Sequence, residues 1–263
     1  MSNSQQDLIA FWKDEEQKPF SGWDFSYVHD RWHEEKPPWS YSEMVRECLP
    51  KADSLLDLGT GGGERLLKFQ DLWPAKTVVT EEWEPNFLLA SERLEPLGVE
   101  VVNVASDEIR PLPFPDNSFD LVISRHTAYN LAEVERILTP GGTFLTQQVN
   151  GRWLQDLIGF MGGAPQWPYF NLKYTLEKLF RETNLHLQIA ESWTGTLTFY
   201  DIGALVYYLK AVPWLVENFS VDTHLDKLLA LQARIDSGEP LRFKIGKLMF
   251  KAQKGDPWAN EPT

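Results

Sequence analysis

The sequence predicts an α/β fold of the doubly wound kind, a mostly parallel sheet with helices on both faces. Three observations lead there. Short apolar or β-branched runs (54–58, 77–80, 99–104, 119–124 and 143–149) alternate with segments of helical periodicity. The first run ends in an acid and a glycine-rich turn. A pair of acids closes the next run, at the spacing of about 20 residues that a nucleotide-binding α/β unit requires.

The first run, Ser54 to Leu58, carries Asp57 near its end and opens into Gly59-Thr60-Gly61-Gly62-Gly63. Glycines at alternate positions admit positive φ and keep a ligand free of side-chain obstruction. Glu64 to Phe69 should then begin a helix whose N–H groups face the same spot. A nucleotide-like cofactor is expected there. A dinucleotide loop would need glycine or alanine at the sixth place of its fingerprint, but that place is Glu64, whose charge would repel a pyrophosphate. Asp57 suits a cofactor with a cationic amino acid end instead. The second run, Thr77 to Thr80, is followed by Glu81 and Glu82, and Pro85 opens a helix carrying Phe87, Leu88, Leu89 and Leu94. Glu81 directly ends the apolar run and is the expected ribose ligand, with Glu82 the alternative. A third strand, Val99 to Val104, leads to Asp107 and Glu108. The fourth ends in Ser124-Arg125-His126-Thr127-Ala128-Tyr129-Asn130, and the fifth is Thr143 to Val149.

The D-x-G-x-G-x-G run resembles motif I of the class I S-adenosylmethionine-dependent methyltransferases. Leu112-Pro113-Phe114-Pro115-Asp116-Asn117-Ser118-Phe119-Asp120-Leu121-Val122 is similar to the L-P-F-x-D-x-S-F-D-x-V signature of the type 11 methyltransferase domain. Ala132 to Gly142 resembles that family's helix and proline-glycine turn, so the likeness covers roughly residues 50 to 150. It implies a Rossmann-like, seven-stranded sheet with the last strand antiparallel. It also implies S-adenosylmethionine as cofactor, held by Asp57, Gly59, Thr60, Gly61, Gly63 and Glu81, with Asp107 at the adenine amino group. The register to Leu112 is one residue long, which leaves Glu108 open for that place. Arg125 is a further candidate, for cofactor or acceptor.

Outside that stretch, nine aromatic residues crowd into 11–41, among them Trp23, Tyr27 and Trp39. Without long periodicity, this segment is expected to be an irregular cap over the carboxyl edge of the sheet, where open α/β sheets bind ligands. Trp23, Tyr27, Trp39 and Tyr129 would line a flat acceptor pocket, while Arg31 is expected in an ion pair rather than on the cofactor carboxylate. Leu172, Leu176, Leu179 and Phe180 make one helical face, His186 to Phe199 and Leu241 to Lys251 read as strands, and two helices lie between them. The expected organisation is one domain over 1–255, comprising a cap (1–50), a cofactor-binding core (51–150) and a C-terminal half (151–255) with a helical insertion at 200–236. Residues 256–263 read as a flexible tail.

Composition narrows the function. A net charge of −13, from 25 basic and 38 acidic residues, disfavours a nucleic acid partner, whose affinity draws on lysine and arginine. No apolar run is long enough for a membrane span, and the first residues lack a signal sequence, so a cytoplasmic protein is expected. The single Cys48 and the scattered five histidines predict no metal. The expected reaction is methyl transfer to a small, aromatic or apolar acceptor, with His126 as base where the acceptor must lose a proton. The alternatives are a nicotinamide-dependent oxidoreductase and a cofactor-binding protein without catalysis.

Overall fold

The computed structural model describes residues 3–255; the tail expected over 256–263 lies outside the described residues. One eight-stranded sheet runs through it: β1 (Trp32–Glu34), β2 (Ser54–Leu58), β3 (Lys76–Glu81), β4 (Glu100–Asn103), β5 (Phe119–Arg125), β6 (Leu138–Val149), β7 (His186–Phe199) and β8 (Leu241–Gln253). Their spatial order is β1-β7-β8-β6-β5-β2-β3-β4. Strands β2 to β6 are parallel, and β8 runs antiparallel between β6 and β7. The chain thus winds one way from β2 through β3 to β4, and the other way from β5 to β6. The switch lies between β2 and β5, where ligands enter an open α/β sheet beyond the carboxyl ends of its strands.

Alternating residues explain why these strands sit inside. Leu55, Val79, Leu121, Ile123, Leu145 and Met249 pack on one face with Tyr41, Val45, Leu66 and Phe69. Leu56, Leu58, Val78, Val122, Phe144 and Phe250 pack on the other with Leu131, Val134 and Leu179. A strand apolar on both faces has to be covered on both. The covering helices are α2 (Tyr41–Cys48), α3 (Glu84–Leu94), α4 (Leu131–Ile137), α5 (Gln155–Met161) and α6 (Leu172–Glu182). Their starts are written in the sequence: Ser40, Asn130 and Asn171 accept backbone N–H bonds at the N-caps of α2, α4 and α6.

Three expectations need correction. The sheet has eight strands, not seven, because three residues of the cap pair with the end of β7, Trp32 opposite Phe199. A strand that short carries no readable alternation. The cap itself is less irregular than expected: α1 (Asn3–Glu16) packs on α7 (Ile202–Ala211) of the insertion, whose other helix is α8 (Leu225–Asp236). Trp12, Val28, Phe199, Leu205, Tyr208 and Leu231 join in a third apolar cluster between them. Finally, no α-helix starts at Glu64. The chain turns through Arg65 and forms a 3-10 helix, Leu66–Leu72. Leu66 and Phe69 are both fully buried, and their i, i+3 spacing stacks them on one edge of a three-residue turn. The ligand loop is therefore flanked by its own amides, not by an α-helix terminus.

Candidate functional site

The glycine loop follows directly from β2. Gly59, Gly61 and Gly63 all have positive φ (65°, 66° and 82°). At two of them a Cβ has no room: one on Gly59 would lie 2.6 Å from Thr127 Oγ1, and one on Gly61 would lie 2.7 Å from Trp23 Cδ1. The end of β3 holds the loop open. Gly59 N donates to Thr80 Oγ1 (3.1 Å), Thr60 N to Thr80 O (3.0 Å) and Gly61 N to Glu81 Oε2 (2.9 Å). Glu81 also accepts from the amides of Glu82 and Trp83, so it is fixed beneath the loop and buried, whereas Glu82 is exposed.

Asp57 lies at the floor of this cradle, 6% exposed, and accepts the Thr60 hydroxyl at 2.8 Å. Burial pushes its carboxyl up to about 7; the Thr60 bond opposes that, and the nearby Glu81 reinforces it. A carboxylate held this reluctantly ionised gains most from a cationic partner. Glu64, by contrast, is turned to Arg93 at 2.8 Å, so its charge is balanced within the protein. The expected repulsion of a pyrophosphate loses most of its force.

The third acid pair divides. Ser106 Oγ lies 3.0 Å from Thr80 Oγ1, which brings the start of this segment to the loop. Asp107 accepts from the amides of Ile109 and Arg110 and is held below its usual range by those bonds. Glu108 is drawn away to Lys178 of α6, at 2.5 Å.

A second group of polar side chains stands beside the first. Arg125 ends β5 and His126 follows with φ 60°, a left-handed conformation unusual for a residue with a side chain. Its backbone N–H donates to Gln147 O (2.9 Å) and its Nε2 lies 3.3 Å from Gln147 Nε2. Trp39 Nε1 donates to Gln147 Oε1 at 2.9 Å. An indole can only donate, so the Gln147 amide must present its oxygen to Trp39 and its N–H to His126. That arrangement assigns His126 the neutral tautomer with its proton on Nδ1. The His126 side chain is exposed, and the protein around it, then Arg125, Lys247 and Arg65, holds its pKa well below the ordinary histidine value.

Among the residues expected to line the acceptor pocket, Trp39 reaches this group and Trp23 lies over Gly61, edge-on to Trp214 of the insertion (5.8 Å). Two do not, and correct that expectation. Tyr27 turns to the cap, where its hydroxyl donates to Glu15 (3.0 Å) and its ring packs on Tyr207. Tyr129 is 8% exposed between Phe144 and Phe250, a core residue immediately before the Asn130 cap of α4. Arg31 forms the expected ion pairs, with both oxygens of Asp201 (2.9 and 2.6 Å) and with Glu15 (3.0 Å). Sequence reasoning missed Tyr41, Arg65, Gln147 and Lys247. Lys247 had a signal: it falls in phase with Leu241, Phe243 and Ile245, the buried parity of β8.

Residues 56–146 match the family model of a methyltransferase domain, Methyltransf_11. These residues form a methyltransferase domain. The sequence of this domain is similar to that of the uncharacterized methyltransferase YcgJ of Bacillus subtilis, 31% identical over 39% of this chain and 43% of the relative. It is also similar to the ubiquinone/menaquinone biosynthesis C-methyltransferase UbiE of Pasteurella multocida, 34% identical over 45% of this chain and 48% of the relative. Each match thus spans less than half of the curated relative. In fold, the solved structure of YcgJ superposes with a TM-score of 0.55 at 18% identity, covering 82% of this chain and 97% of that one. The [4+2]-cyclase SpnF superposes with a TM-score of 0.51 at 17% identity over 97% of each chain. Among the described residues no helix is long and apolar enough to cross a membrane.

Proposed function

We propose that this protein transfers a methyl group from S-adenosylmethionine to a small acceptor with an aromatic or apolar body, bound between the glycine loop and Trp39. The observation that carries this reading is Asp57: a buried carboxylate, raised to about 7, beside a loop whose glycines leave space for a ligand. In this reading Asp57 takes the cofactor's ammonium, Glu81 the ribose hydroxyls and Asp107 the adenine edge, with Thr60 orienting Asp57. When bound, the cofactor supplies an electrophilic methyl on a sulfonium, displaced in line by the acceptor nucleophile. Trp23 and Trp39 exclude water and orient a flat acceptor. His126 is neutral, and the 3.3 Å contact from Gln147 is the longest in its group, so an acceptor proton can replace it at Nε2. The C-methyltransferase named above adds weight to an aromatic carbon as the atom methylated.

SpnF is named for a cyclisation, so the fold alone does not specify methyl transfer. Calorimetric titration of the purified chain with S-adenosylmethionine, NADH and NADPH tests the cofactor. Micromolar binding of the sulfonium with none of the nicotinamides supports the proposal; nicotinamide binding alone rejects it. Turnover to S-adenosylhomocysteine in an acceptor screen then separates an enzyme from a binding protein.

A further inference from the structure

We infer that the acceptor carries an anionic oxygen group, a carboxylate or a phosphate, and that the Arg125 guanidinium binds it. This rests on the methyltransferase reading of the same site. Three observations lead to it, the first being position. Asp57, Arg125, Gln147 and Lys247 lie in phase with Leu55, Ile123, Leu145 and Met249, so they share one face of the sheet. They stand on four neighbouring strands, β2, β5, β6 and β8, near the edge where β2, β5 and β6 end. Arg125 pairs with Gln147 in register, and Trp39 reaches Gln147 from the cap. Arg125 therefore borders the acceptor space directly.

The second observation is that Arg125 has nothing to hold. The half-buried arginines of the described residues are Arg31, Arg65, Arg125, Arg136 and Arg234. Arg31 bonds Asp201 and Glu15, Arg65 bonds Ser42, Arg136 bonds Glu133 and Asp116, and Arg234 bonds Glu239. Among them only the Arg125 side chain makes no hydrogen bond or ion pair with the described residues. Above the same face the Tyr41 hydroxyl is fully buried and equally without a hydrogen-bond partner. A guanidinium offers five N–H donors, and leaving them unmatched in an enclosed site is costly.

The third observation is the local charge. In a chain of net charge −13, three cations (Arg65, Arg125 and Lys247) gather here against two carboxylates, Glu34 and Asp57. Glu34 is taken by Lys247, and Asp57 by Thr60 and, on the reading above, the cofactor's ammonium. Glu81 lies near Asp57, tied to three amides, and is not among the charges that act on Arg125. One positive charge is left over. The cofactor, with a sulfonium, an ammonium and one carboxylate, adds another, so its own carboxylate cannot neutralise the group. Arg125 is already held down to about 10 by its enclosure and by Arg65. An anion on the acceptor balances the site, and the planar guanidinium matches a carboxylate or phosphate through two parallel bonds.

The test uses the full chain saturated with S-adenosylhomocysteine, and the same chain without it, titrated calorimetrically with 4-hydroxybenzoate, phenyl phosphate and neutral 4-hydroxybenzamide. At least one anion should bind about tenfold or more tighter than the amide, a margin typical of a charge-assisted pair. The stronger of the two identifies the group. Arg125→Gln should abolish the preference and Arg125→Lys keep part of it; in the wild type, raising salt to about 0.5 M should erode it. Equal binding of all three probes, or a preference that survives both Arg125→Gln and salt, overturns the inference. So does a loss of S-adenosylhomocysteine affinity in Arg125→Gln with the preference intact, which would make Arg125 a cofactor ligand. If the wild type does not bind S-adenosylhomocysteine, the methyltransferase reading fails by itself, and the anion preference is still read on the free chain.

Discussion

The two sides of the site are built differently. On the cofactor side, the run from Asp57 to Gly63 and the end of the next strand make the cradle, held by backbone amides bonded to Thr80 and Glu81. On the side proposed for the acceptor, Trp39, Tyr41, Arg125, His126, Gln147 and Lys247 come from separate loops, strands and a helix, mostly through side chains. A cradle of backbone needs particular residue types at fixed spacing, because only glycine takes positive φ without strain and without a Cβ. A cavity of side chains needs only that each fill its part of the space. The first leaves a motif and the second does not.

That contrast explains what could be read. The order of strands, the acid before the glycines and the choice of Glu81 over Glu82 follow from local patterning, and the structure brings those residues together. The 3-10 helix after the loop was hidden because Leu66 and Phe69 also suit an α-helix. Tyr129 looked like a pocket residue because nothing in the sequence tells which way a side chain beyond a strand end turns. Gln147 and Tyr41 depend on register between distant strands and a helix, which no single segment encodes. Lys247 is the exception, a charge on the buried parity of a strand.

The sharpest way to break the comparison is Asp57→Asn. It should cost about 2–4 kcal/mol of S-adenosylhomocysteine affinity, the loss typical when one partner of a buried charge pair is removed. At pH 8 it should also raise the melting temperature of the free protein, because the buried carboxylate is gone while the Thr60 bond can remain. Calorimetry and thermal denaturation read the two opposite signs; a loss of both would make Asp57 structural.

Arg31→Ala should spare the cofactor cradle and strike the packing of the cap on the insertion. It strips Glu15, whose side chain is 3% exposed, of its cationic partner and should destabilise the fold by about 3 kcal/mol, with unchanged cofactor affinity in what remains folded. Urea unfolding with and without S-adenosylhomocysteine measures both. His126→Ala should lower turnover roughly 100-fold, the contribution of a positioned base, and leave cofactor affinity within about twofold. Full activity with the true acceptor would remove His126 from the chemistry.

The most gradual effect expected is the dependence on pH. Asp57 has a folded pKa of about 7, above its ordinary value of 3.8, so its ionised form is disfavoured by folding. Its contribution to the stability of the free protein is full below that ordinary value and is lost as pH rises towards 7. Cofactor binding needs the ionised form, so affinity should climb as pH rises from 5 to 7, by at most about tenfold per unit, and level off above. In Asp57→Asn the profile should be flat. A flat profile in the wild type would mean that the carboxylate is already ionised.

The short pairing of β1 with β7 has a consequence for how the chain is made. Arg31 and Asp201, which lock that pairing, are 170 positions apart, and Trp32 meets Phe199 across a similar span. At a ribosomal rate of about 5–20 residues per second, the amino-terminal segment emerges roughly 10–30 seconds before its partners exist. During that interval Trp12, Phe20, Phe25 and Trp32 have nowhere to be buried. Residues 11–32 leave the ribosome well before these partners and are thus among the last to find their place.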